Sequence, residues 1–96
     1  MGNSERLVLI VEENGFIQEI ISYLIESKGF KAVLAKDCRD ALAMLRDKKI
    51  VERLEFAVID SQENSEAQNF VQEMQESFPS LYQSLPILFA RQPMHS

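Results

Sequence analysis

Ninety-six residues make one domain, and 46% hydrophobic with 26% charged is ordinary globular composition, enough for a core with little surplus stability. A formal charge of −5 argues against nonspecific nucleic-acid binding, which needs clustered Lys and Arg to displace counterions. A single cysteine, Cys38, excludes an internal disulfide and fits a reducing, cytoplasmic setting; the N-terminus has no apolar signal core, and no apolar run approaches the length of a membrane span.

Residues 6–11 read as the first strand, continuously apolar as a strand covered on both faces should be. Asn14-Gly15 is a turn with Asn14 as helix cap, and Ile17, Ile20, Ile21, Leu24 and Ile25 then recur at helical spacing. Gly29 stops that helix in the left-handed conformation, with Lys28 near the negative end of its dipole. Phe30 to Ala35 is a second strand. Asp37 caps a second helix with Ala41, Leu42 and Leu45 on its apolar side. The charged stretch 46–53 is either an extension of this helix to about residue 52 or a loop anchored by Ile50 and Val51.

Residues 54–60 are the third strand, and the polar stretch 61–66 reads as a loop. Ala67, Phe70, Val71, Met74 and Phe78 are spaced as a third helix, closed by Pro79 and the Ser/Gln-rich residues after it. Leu85 to Ala90 is a fourth strand with Pro86 at its start. The order β-α-β-α-β-α-β, with short connections, predicts a three-layer α/β/α fold: a parallel sheet with right-handed crossovers and helices on both faces.

Two strands end on acid. Leu7-Val8-Leu9-Ile10-Val11 runs into Glu12-Glu13, and Leu54-Glu55-Phe56-Ala57-Val58-Ile59 into Asp60. Chemistry in an open parallel sheet gathers at the carboxyl ends of the strands. If the two strands are neighbours, Glu12, Glu13 and Asp60 meet as a hard, oxygen-rich site suited to Mg²⁺, and a carboxylate there is also a nucleophile toward phosphorus. The plainer alternative is that these are polar strand ends facing water. No Gly-rich phosphate loop follows the first strand, so a nucleotide-type cofactor is not expected.

Taken together, Leu9-Ile10-Val11-Glu12-Glu13, Leu24-Ile25-Glu26-Ser27-Lys28-Gly29-Phe30, Ala35-Lys36-Asp37-Cys38-Arg39-Asp40-Ala41-Leu42 and Val58-Ile59-Asp60 resemble the receiver domain of two-component response regulators, over about Arg6 to Arg91. The resemblance implies a flavodoxin-like, CheY-like sheet in the order 2-1-3-4-5. It makes Asp60 the acceptor of a phosphoryl group from a histidine kinase, places Glu12 and Glu13 at Mg²⁺, and puts a phosphate-sensing Ser or Thr at the end of the fourth strand.

Several positions depart from that pattern. Glu-Glu stands where Asp-Asp or Glu-Asp is usual. The loop Ser61 to Gln68 lacks the usual Met-Pro and Asp-Gly. The switch position falls on Arg91, or on Ala90 if slipped by one, and neither has a hydroxyl; Arg91 either ion-pairs with Asp60 or points to solvent. The fifth strand, its Lys and the last helix have no counterpart before Ser96, so a four-stranded, truncated form is expected. The expected function is therefore an atypical, non-enzymatic receiver-like signalling domain acting through protein contacts, with a fully active Mg²⁺-dependent phosphoacceptor as the alternative. The expected partners are a histidine kinase or other signalling protein, with no membrane and no nucleic acid; the apolar fourth-strand edge at 85–90 is expected either to pair with a second copy or to mark the sequence as a piece of a longer protein. Cys38 reads as a packing residue at a helix start, His95 as a solvated tail residue, and Met44 and Met74 as core.

Overall fold

The computed structural model describes residues 5–60 and 64–90. The elements are β1 (Leu7–Val11), α1 (Gly15–Ser27), β2 (Lys31–Ala35), α2 (Cys38–Met44), α3 (Lys48–Val51), β3 (Leu54–Ile59), α4 (Asn64–Ser77), α5 (Pro79–Ser84) and β4 (Ile87–Phe89). The strands form one parallel sheet in the order β2-β1-β3-β4. The first and third strands are therefore neighbours, as the site requires.

β1 is central and buried along its whole length, which explains its unbroken apolar sequence. Its odd residues, Leu7, Leu9 and Val11, join Ala57 and Ile59 of β3, Ala41 and Leu45, and Phe70 and Met74 of α4 in one core. Ile50, Val51, Leu81 and Tyr82 pack around it, so α2 to α5 together close this face of the sheet. Val8 and Ile10 point to the opposite face, where α1 packs over β1 and β2. Near its start β3 carries a bulge: Leu7 pairs with Leu54 but Val8 with Phe56. Glu55 is the extra residue, and it projects outward to ion-pair with Arg6.

The caps read from sequence are in place. The Asn14 side chain accepts from the backbone N–H groups of Phe16 and Ile17 at 2.9 and 3.1 Å, and that of Asp37 from Asp40 at 2.9 Å. Gly29 has φ of +95°, a left-handed conformation that a side chain would strain. Lys28 is the C-cap residue of α1.

Four readings need adjustment. The charged stretch 46–53 neither extends α2 nor stays a loop: Asp47 accepts from Lys49 N–H and starts the separate helix α3. Pro79 does more than close α4. It is the first residue of α5, where its missing N–H has no helical partner to lose. Of the polar stretch 61–66, residues 64–66 are not loop but the start of α4. β4 is three residues rather than six, with Leu85 buried before it.

Among the described residues no helix is long and apolar enough to cross a membrane.

Candidate functional site

The last ladder pair between β1 and β3 is Val11 with Ile59. Glu12 and Asp60 are the next residues on each strand, and Asp60 N–H donates to the Val11 carbonyl at 2.8 Å, which holds the two strand ends together. Both carboxylate residues are buried, Glu12 at 3% exposure and Asp60 at 8%. They are the buried charged residues among those described. Their burial argues against the reading of plain strand ends facing water.

One donor to Glu12 comes from the turn into α1. Asn14 N–H donates to Glu12 Oε2 at 2.9 Å, while the Asn14 side chain caps the helix. The same short turn thus fixes the carboxylate and starts α1. Gln18 adds a second tie: its Nε2 donates to the Glu12 carbonyl at 2.7 Å and to the Ala35 carbonyl at 3.2 Å. It joins the carboxyl ends of β1 and β2 through one side chain. In the sequence Gln18 is only a polar residue between the apolar positions of α1. Its position one turn past the cap is the sole sequence signal for this role, and it is a weak one.

Glu13 lies beside this pair in the chain but is exposed. Among the described residues no three His, Cys, Asp or Glu side chains are grouped to hold a metal ion. Mg²⁺ uses one or two carboxylates and keeps several waters. Glu12 and Asp60, on neighbouring strand ends, are the two carboxylates such a site would draw on. Arg91, and with it the switch position, lies outside the described residues, as do His95 and Ser61 to Glu63.

Cys38 sits at the first turn of α2, buried in the core and a free thiol. Its N–H donates to Glu66 Oε2 at 3.4 Å, linking α2 to the first turn of α4. Burial, and then the nearby Glu66 and Asp37 carboxylates, push its thiol up to about 12. A thiol held neutral in this way is a packing residue, as the sequence suggested.

Solved structures with the same architecture are response regulators. A receiver protein from Pseudomonas putida superposes with a TM-score of 0.73 at 19% identity, over 96% of this chain and 74% of that one. The chain has the receiver-domain fold. A Vibrio cholerae chemotaxis response regulator gives 0.72 at 24% identity, covering 88% of this chain and 67% of its own. A Thermotoga maritima response regulator gives 0.68 at 24%, covering 93% and 70%. The chain therefore spans about two thirds to three quarters of the length of these receivers. No protein-family profile and no curated protein matches it. At such identities the likeness is one of fold, and what the fold does here has to be argued from the site.

Proposed function

We propose that this chain is a receiver-like signalling domain of the two-component type, non-enzymatic and cytoplasmic, acting through protein contacts, with Asp60 as its candidate phosphoacceptor. The observation that supports it best is the enclosed pair Glu12 and Asp60 at the carboxyl ends of adjacent central strands. Its partners are a histidine kinase or other signalling protein, and a second copy through the β4 edge at 85–90. The reading as a contact module rather than a full phosphorylation switch draws on Glu13 being exposed and on Arg91 standing at the switch position.

The burial of Asp60 beside Glu12 also favours a second reading, the active phosphoacceptor. In that chemistry an Asp60 carboxylate oxygen attacks the phosphorus of a phosphohistidine. The N–P bond breaks as the O–P bond of an acyl phosphate forms, and the imidazole takes a proton from solvent. Mg²⁺ held by Glu12 and Asp60 would offset the repulsion between carboxylate and phosphoryl oxygens.

Beryllofluoride, a phosphate mimic, separates the two readings by ¹⁹F NMR. Mg²⁺-dependent uptake that disappears in Asp60→Ala establishes the active phosphoacceptor. No uptake by a protein whose fold is intact leaves the contact module. Uptake that persists in Asp60→Ala would remove Asp60 from both.

A further inference from the structure

Glu12 is tied to β2, to α1 and to the turn between β1 and α1. Its N–H donates to the Ala35 carbonyl at 3.0 Å. Its own carbonyl accepts from Gln18 Nε2 at 2.7 Å, and its carboxylate from Asn14 N–H at 2.9 Å. The peptide groups on both sides of the Glu12 Cα are thus anchored. That sets the backbone dihedrals of Glu12, and with them the direction in which its side chain leaves the strand. The chain changes character at this link, since Glu12 is buried and Glu13 exposed.

The ladder between β1 and β2 does not supply the second anchor. The two strands pair as far as Val11 and Ala35. A further rung of a parallel ladder would need a donor from the residues after Ala35. There the chain leaves the sheet, and Asp37 caps α2. Gln18 stands in for that rung. Its amide carries two N–H donors, and both are used: one on the Glu12 carbonyl, the other on the Ala35 carbonyl at 3.2 Å. Because both partners are carbonyl oxygens, only the nitrogen end of the amide can face them.

Gln18 is also well placed to hold still. Its backbone N–H donates to the Asn14 carbonyl at 2.9 Å, within the first turn of α1. Glu12, Asn14 and Gln18 therefore close a ring of hydrogen bonds: Asn14 to the Glu12 carboxylate, Gln18 to the Asn14 carbonyl, and the Gln18 amide back to the Glu12 carbonyl. A glutamate of the same length, ionised at neutral pH, would instead set acceptors against two carbonyl oxygens.

We propose that Gln18 is a positioning residue for the acid pair: by holding the Glu12 carbonyl it keeps the Glu12 carboxylate turned in where β1 and β3 end together. The inference rests on the reading of Glu12 and Asp60 as a joint site and adds the group that orients one of its two acids. Gln18 acts through the Glu12 backbone. A tie that served only to join β1, β2 and α1 would lower stability when removed and leave the direction of the Glu12 side chain alone.

The test is Gln18→Met, which keeps the length of the side chain and removes both donors, followed by backbone amide NMR with and without Mg²⁺. Without the ion, the Asn14 amide proton reports its bond to Glu12, while those of Phe16 and Ile17 report the cap of α1. The expected result is a changed shift and a steeper temperature dependence at Asn14, with Phe16 and Ile17 holding their wild-type behaviour. The Mg²⁺ dissociation constant of the folded variant should rise roughly tenfold, as it does when a group that orients a metal ligand is removed. An Asn14 amide that stays as in wild type would overturn the proposal. So would Asn14, Phe16 and Ile17 changing together, which is fraying of the helix start, or an unchanged dissociation constant. A wild type that binds no Mg²⁺ removes the cation site, and the Asn14 amide alone then decides whether Gln18 orients Glu12. Wild type also supplies a check that no substitution can spoil. The Gln18 side-chain amide protons should exchange with solvent more slowly than those of exposed Gln83, and equal rates would overturn the proposal.

Discussion

The two faces of the sheet are built to different standards. On one, Leu7, Leu9, Val11, Ala57 and Ile59 are sealed under four helices, with Phe70 and Met74 filling the centre. On the other, among the described residues, α1 packs over β1 and β2, Val58 is half-buried and Leu88 exposed. α1 packs through its half-buried Ile17, Ile21 and Ile25 and is tied at its N-terminal end by the Asn14 cap and the Gln18 amide. The closed face holds most of the fully buried side chains, with Val8 and Ile10 buried on the other. Among the described residues, the open face leaves apolar side chains such as Leu24 and Leu88 exposed.

Core truncation should separate the faces most sharply. Leu9→Ala empties a fully buried site and should cost about 3 kcal/mol in urea unfolding, while Leu88→Ala on the open face should cost less than about 1 kcal/mol at concentrations where the chain is monomeric. Equal costs would erase the distinction between the faces. The caps come next. Asn14→Ala should cost about 1 kcal/mol and speed amide exchange through α1 in particular, because that helix has little burial to fall back on. Asp37→Ala should cost a similar amount, but exchange in α2, which is anchored by Ala41, should change less.

The smallest effect is absent at neutral pH. Cys38 has its thiol raised in the fold from 9.0 to about 12, so between these values the unfolded chain gives up a proton that the folded chain keeps. Stability that is complete below pH 9 should therefore fall as pH rises toward 12, and Cys38→Ala should flatten that slope. A native thiol that reacts freely with a labelling reagent at pH 8 would contradict its enclosure.

Most of the architecture was legible in the sequence because the signals were local. The strands are unbroken apolar runs, and Asn14, Asp37 and Gly29 sit where helix ends need them. The sheet order followed from the resemblance to receivers. What escaped was set by tertiary context. Periodicity put Ile17, Ile20, Ile21, Leu24 and Ile25 on one stripe, but it does not say how wide a stripe the fold covers, and Ile20 and Leu24 are left out. Pro79 was read as a stop when it is equally a helix start, so α5 was missed.

The site was half legible. Glu12 and Asp60 follow from neighbouring strands ending together, whereas Glu13, next along the chain, turns outward at a position where the third ligand was expected. Gln18 reaches carbonyls six and seventeen residues away, a connection no local pattern encodes.

The joint site of Glu12 and Asp60 is tested most directly by titrating Mg²⁺ while following backbone amide shifts. The expected result is a saturable set of changes centred on Glu12, Asn14 and Asp60, absent in Asp60→Ala and absent at the opposite ends of β1 and β3, near Leu7 and Leu54. Changes confined to exposed carboxylates elsewhere, or none at all up to concentrations that saturate ordinary Mg²⁺ sites, would mean that these two enclosed acids do not form a cation site.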